Sequence, residues 1–257
     1  MTSEQLTSLL LVLSAFAAGM VNAMAGGGTL LTFPALMRVL DGVGANATST
    51  VALFPGSLAG AFGYRRELWQ ARRLLAWLAA PSIVGGVIGS LLVTEIPATV
   101  FERLIPWLIL TAAGLFMAQG PIKRFTGWIE QREPTERTIA IVVFAQLLIS
   151  IYGGYFGAGI GILMLSVLPF MGTKTIHETN AVKTVLAGLI NAVSVAIFVW
   201  RDKVVWEYAL WMIPAAIMGG YLGARSARAM PSGLVRAIII AVGLVLGIYY
   251  LALQISN

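Results

Sequence analysis

Two places in the chain carry residues suited to handling an anion without a formal charge. GMVNAMAGGGTLLTFP (19–34) and GGYFGAGIGILMLSVLP (153–169) each interrupt an apolar stretch with clustered glycines, Gly26, Gly27 and Gly28 in the first and Gly157, Gly159 and Gly161 in the second. Glycine is a poor helix-interior residue and reaches backbone conformations that other residues avoid, so a helix is expected to break at each cluster. A break at membrane depth frees N–H and C=O groups that hydrocarbon cannot satisfy, and must be buried in protein or line a wet cavity. The segments restarting at Gly28 or Thr29 and near Gly161 would aim the positive ends of their dipoles at that cavity. Two such ends converging make an anion site.

A polar helix start follows each cluster, NATST (46–50) and NAVKT (180–184). Thr48, Ser49, Asn180 and Thr184 supply hydroxyl and amide donors there. Lys183 is the one ammonium in these paired segments, standing three residues from an expected loop, where binding an anion and snorkelling to the interface are equally good readings. Asn22 and Asn191 lie well inside apolar segments, and each either meets a substrate or hydrogen-bonds a neighbouring helix. Serines such as Ser49 and Ser57 more often bond their own helix backbone. Gly85, Gly86 and Gly89, with Gly219, Gly220 and Gly223, read as close-packing positions. His177, beside Glu178 in an expected loop, reads as solvated, with a gating or pH-sensing role as the lesser alternative.

The elements that must position these residues are membrane helices. Of 257 residues 58% are hydrophobic and 11% charged, a balance that excludes a soluble domain. Apolar segments fall at about 5–24, 28–40, 47–64, 74–93 and 99–119, then at about 138–155, 159–172, 181–200, 204–224 and 233–254. Residues 5–24 are read as a span and not a cleaved leader, because the N-terminal region carries Glu4 and no Lys or Arg. The chain has no cysteine and one histidine, so neither a thiolate metal site nor a multi-histidine site is expected, and no cofactor. The net charge of +6 comes from Lys and Arg in short connections, which anchor topology and do not indicate nucleic acid. The carboxylates Asp41, Glu95, Glu102, Glu178, Asp202 and Glu207 all fall in or near connections, leaving no intramembrane proton relay.

The two sets of five segments look duplicated. At an offset of 134, Asn46, Ala47, Thr50, Val51, Trp77, Gly85, Gly86, Gly89 and Pro97 meet Asn180, Ala181, Thr184, Val185, Trp211, Gly219, Gly220, Gly223 and Pro231. The organisation expected is an all-α polytopic membrane protein, with a first repeat over 1–119, a basic cytoplasmic connection over 120–137 and a second repeat over 138–257. Arg65, Arg66, Arg72 and Arg73 mark one basic loop, Lys123, Arg124, Arg132 and Arg137 another, and Arg225, Arg228 and Arg236 a third. Placing all three on the cytoplasmic side requires five crossings per half and an inverted second repeat. Parallel four-span halves are the alternative. An enzyme is disfavoured, since GSLAG (56–60) is not a G-x-S-x-G elbow and the sole histidine sits outside the apolar centres.

GMVNAMAGGGTLLTFPAL followed by NATST, then GGYFGAGIGILMLSVLPFMG followed by NAVKTVLAGLINAVSVAIF, resembles the sulfite exporter TauE/SafE family of membrane permeases over nearly the whole chain. That resemblance implies transport of sulfite, a sulfonate or a related organic anion across a cytoplasmic membrane, fitting a prokaryotic one. It carries over to Asn22, Gly26, Gly27, Gly28, Pro34, Thr48 and Ser49, and to Gly157, Gly159, Gly161, Asn180, Lys183, Thr184 and Asn191. The sequence departs from the family pattern in NAMAGGG, where relatives often carry more glycine, and at Ile160 in the second cluster. The expected partners are a small anion and the lipid bilayer. Coupling ion, a proton among the candidates, direction of transport and oligomeric state stay open, as does a channel in place of a carrier.

Overall fold

The structure, a computed structural model, describes residues 3–24, 27–63, 71–126, 134–173, 176–226 and 232–256. Every regular element among the described residues is helical: α1 (Ser3–Met24), α2 (Thr29–Leu36), α3 (Gly42–Gly63), α4 (Arg72–Glu95), α5 (Ala98–Thr126), α6 (Glu136–Tyr155), α7 (Ile160–Val167), a 3-10 turn (Leu168–Met171), α8 (Ile176–Trp200), α9 (Trp206–Ser226) and α10 (Ser232–Ser256). Six of them, α1, α4, α5, α6, α8 and α10, are long and apolar enough to cross a membrane. Large apolar side chains such as Leu210, Trp211, Phe144 and Val245 are more than 60% exposed, a surface suited to lipid contact.

Glycines set the tightest helix pairs. A Cβ on Gly85 of α4 would stand 2.6 Å from the Leu147 carbonyl oxygen of α6, and one on Gly89 would overlap the Ile151 carbonyl oxygen. On the other side of the molecule, Gly219 of α9 lies against the Phe16 carbonyl of α1 and Gly223 against Met20. Residue numbers rise together in both pairs, so α4 runs parallel to α6 and α1 to α9. Small residues let backbones approach where lipid offers no hydrophobic drive for association, as expected for these glycines. α5 and α10 are antiparallel, with Gly120 beside Arg236, Gly243 against Ala113, Gly247 against Leu110 and Gln254 Nε2 donating to the Arg103 carbonyl at 3.4 Å. α3 and α8 pack on each other, α3 also on α9 and α8 also on α4.

Several helices begin earlier than the apolar pattern indicates. α3 starts at Gly42 and not near 47, because Asp41 Oδ1 accepts the Gly44 N–H at 3.0 Å and starts the helix. α8 starts at Ile176 and not near 181, which places Lys183 two turns inside the helix instead of three residues from a loop. His177 and Glu178 therefore lie in the first turn of α8, and the expected loop there is helix. The second glycine cluster is followed by two helical pieces, α7 and the 3-10 turn, which ends at Gly172 with φ of 75°. α5 continues to Thr126, so its last turns occupy the start of the polar connection.

Candidate functional site

Both glycine clusters are breaks in the helical chain. Gly27 takes φ of 89°, Gly157 79° and Gly159 83°, left-handed values that favour glycine. In the first break the Asn22 side chain reaches back from α1, and its Oδ1 accepts the Gly28 N–H at 2.7 Å. This satisfies a donor freed by the break and leaves the two amide donors of Asn22 uncommitted by that bond. A Cβ on Gly28 would meet the backbone of Ala18, so α2 folds back along α1. In the second break Tyr152 donates its hydroxyl to the Ala158 carbonyl at 2.7 Å, performing the same service for an acceptor. Gly26 lies outside the described residues.

α5 brings the breaks together. A Cβ on Gly27 would overlap the Phe116 ring, with Cε2 at 2.5 Å, and one on Gly159 would stand 3.3 Å from Leu115 Cδ1 and 3.7 Å from Ala112 Cα. Ala112 and Phe116 are one helical turn apart, so the starts of α2 and α7 rest on the same turn of α5. Below them Phe33 of α2 packs edge-on against Phe156 of the second break, with ring centroids 5.2 Å apart. The N-terminal ends of two short helices thus begin at one level of α5.

The side chains around this level come from α2, α3 and α8. The Lys183 stem lies over Gly161, whose Cβ would stand 3.4 Å from Lys183 Cδ. Lys183 is half-buried and donates Nζ to Asn180 Oδ1 at 3.1 Å. Thr184 donates its hydroxyl to the Asn180 carbonyl at 2.7 Å, as Thr50 does to Asn46 at 2.8 Å. Ser49 Oγ pairs with Thr32 Oγ1 at 2.6 Å, both fully buried. Asn46 Nδ2 donates to the Tyr155 carbonyl at 3.0 Å, covering an acceptor that the end of α6 leaves open. Thr48 turns elsewhere, its Oγ1 accepting the Val205 N–H in the connection before α9 at 3.0 Å. Thr29 opens α2 and is half-buried, as is Asn191, which lies two turns beyond Thr184 in α8.

The structure also places polar groups that apolar context hid in the sequence. Gln146 of α6 is fully buried and donates to Ser82 of α4 at 2.9 Å and Ser150 at 3.2 Å, while Ser90 donates to Ser194 of α8 at 2.8 Å. Thr32 and Tyr152 belong to the breaks themselves. A single hydroxyl or amide in an apolar run has no periodicity that names its partner, so only a serine ladder at helical spacing, Ser82 to Ser90, hinted at this seam. Away from the breaks, a groove of ≈ 550 Å³ between α1, α2 and α10 is lined by Leu6, Leu13, Leu31, Pro34 and neighbours, with Arg38 among them. Its apolar walls fit lipid chains better than an anion.

Residues 11–250 match the family described as sulfite exporter TauE/SafE, over almost the whole chain. The chain belongs to this family. A "Probable membrane transporter protein" of Haemophilus influenzae is 26% identical over 88% of this chain and 87% of the relative. "Probable membrane transporter protein ORF9" of Sinorhizobium sp is 28% identical over 94% and 91%, and "Probable membrane transporter protein YfcA" of Escherichia coli K12 27% over 90% and 85%. No solved structure matches the chain. Membership of the TauE/SafE family, together with the apolar spans, makes the protein a multi-pass membrane transporter and not an enzyme.

Proposed function

We propose that this TauE/SafE protein is a secondary carrier that moves a small sulfur-containing anion, sulfite or an organosulfonate, across a bacterial cytoplasmic membrane. The anion binds where the two glycine breaks meet α5. The carrying observation is that Gly27 and Gly159 rest within one turn of α5, so that two helix N-termini begin there with the Lys183 stem over Gly161 beside them. Positive dipole ends and half-helices of this kind receive anionic groups in secondary carriers. Asn22, Thr29, Ser49, Asn180 and Lys183 line or brace the binding level, whereas the hydroxyls of Thr48 and Thr184 hold backbone. The substrate class follows the family description, and the membrane follows the bacterial relatives.

A duplication of five segments per half is supported by the exchange of partners, and its inversion by the antiparallel course of the counterparts α5 and α10. α1 packs on α9 as α6 packs on α4, α3 on α9 as α8 on α4, and the pairs α3 with α8 and α5 with α10 are their own counterparts. Gly120, at the edge of the second basic loop, neighbours Arg236 of the third, as the inverted reading requires if basic loops share the cytoplasmic side. Residues 1–119 and 138–257 would then rock against each other around the breaks.

The test is uptake of labelled sulfite and taurine into proteoliposomes, with Lys183→Ala and Lys183→Arg compared. Saturable, counter-transportable flux that Lys183→Ala weakens and Lys183→Arg partly restores supports the carrier and its site. Flux that never saturates would point to a channel, and no flux of either compound from folded protein would remove this substrate class.

A further inference from the structure

Asn46 and Asn180 share one backbone contact and differ in what meets the side-chain oxygen. Each accepts at its backbone carbonyl the hydroxyl of a threonine four residues on, Thr50 at 2.8 Å and Thr184 at 2.7 Å. In α8 the next turn carries Lys183, whose ammonium sits 3.1 Å from Asn180 Oδ1. In α3 the residue three beyond Asn46 is Ser49, and Asn46 Oδ1 is buried with no hydrogen-bond partner. The orientation of the amide is fixed, because Asn46 Nδ2 is spent on the Tyr155 carbonyl at 3.0 Å. A buried carbonyl oxygen left unsatisfied is costly, so this position calls for a donor or a positive charge.

The neighbouring atoms favour a positive charge. Ser49 stands one turn from Asn46 on the same side of α3, and its hydroxyl pairs at 2.6 Å with Thr32 of α2, whose Oγ1 also reaches the Gly28 carbonyl of the first break at 3.5 Å. Asn46 is 1% exposed, and Ser49 and Thr32 are fully buried. The carboxylate of this stretch, Asp41, is exposed and caps Gly44, so the oxygen set is neutral. Neutral carbonyl and hydroxyl oxygens suit a hard monovalent cation, whereas divalent ions are generally held with carboxylates. In secondary carriers Na⁺ is held near broken helices chiefly by freed backbone carbonyls, and the neutral side-chain oxygens here offer the same kind of ligand.

We propose that Asn46, Ser49 and Thr32 form a binding site for Na⁺, which takes in the first half the place that the Lys183 ammonium takes in the second. The coupling consequence rests on the carrier reading above; the binding does not. With Na⁺ bound, each half presents one positive charge near the breaks, and the anion meets both.

Thermal unfolding of the purified protein in NaCl, KCl and N-methylglucamine chloride at equal ionic strength reads the site directly. Wild type should gain stability with Na⁺ in a saturable way, as should Thr32→Ser and Lys183→Ala. Ser49→Ala and Thr32→Val should need at least about tenfold more Na⁺ for the same gain. Equal curves in all three salts, or unaltered Na⁺ dependence in both Ser49→Ala and Thr32→Val, would overturn the proposal. Sulfite flux from the same preparations separates the two readings. Saturable flux without any Na⁺-specific stabilisation removes the cation site and leaves the carrier, whereas Na⁺ stabilisation without flux keeps the site and removes the carrier.

Discussion

The stem of Lys183 crosses α7 over Gly161, where a Cβ would stand 3.4 Å from Cδ and 3.9 Å from Cε. That separation is ordinary van der Waals contact, so Gly161→Ala should fold. The added methyl would touch the lysine stem without displacing it, so the ammonium keeps its place beside Asn180. KM for the transported anion is expected to stay within about twofold of wild type, about 0.4 kcal/mol in binding. A rise in KM of about tenfold or more in folded Gly161→Ala would show instead that the ammonium depends on open space at position 161.

The glycines of the parallel helix pairs behave differently. Gly89 faces the Ile151 carbonyl and Gly219 the Phe16 carbonyl, and backbone cannot swing aside as a lysine stem can. Gly89→Ala and Gly219→Ala should each cost at least about 1–3 kcal/mol by forcing helices apart. Folded yield and melting temperature would report it. Gly188 and Gly114, with no heavy atom within 4 Å of a Cβ, are the internal controls.

Gln146 gives the opposite expectation to its conspicuous burial. Its amide NH₂ bonds Ser82 and Ser150, yet Oε1 is buried without a partner, and both serines donate to backbone carbonyls on their own helices. Gln146→Leu therefore removes two modest bonds and one unsatisfied acceptor together. Interhelical hydrogen bonds in membranes average about 0.6 kcal/mol, so stability should change by no more than about 1 kcal/mol. A larger drop in melting temperature would show that the α4–α6 seam depends on this amide.

The helical content, the places of the breaks and the spans were legible because glycine clusters and apolar length leave marks in composition. Asp41 and Ile176 were harder: a cap followed by Gly-Val-Gly reads as a loop until the bond from Gly44 to Asp41 is seen, and polar residues 177–180 mask the first turn of α8. The pairings around the candidate site, Asn22 with Gly28, Ser49 with Thr32 and Tyr152 with Ala158, join residues through folding at and beside the breaks. No spacing rule encodes that geometry. Thr48 illustrates the limit, since its type matched its neighbours while its direction, toward Val205, did not.

The direction of the two halves can be read out chemically because the chain contains no cysteine, so single cysteines can be introduced without a background. Arg66→Cys, Arg124→Cys and Arg228→Cys probe the three basic loops, and Asp202→Cys probes the exposed turn between α8 and α9. Asp202 adopts φ of 51°, which cysteine tolerates less well, so Lys203→Cys, also exposed, serves as its second probe. With inverted halves, a membrane-impermeant maleimide applied from the cytoplasmic side of inverted vesicles should label the three loop positions together. The same reagent applied from the opposite side should label positions 202 and 203. The salt bridge of Arg201 with Glu95 ties the ends of α4 and α8 together, so cysteine at Ile96 should be labelled from that second side as well. Labelling of position 228 from the side opposite to 66 and 124 would rule out inversion and support parallel four-span halves.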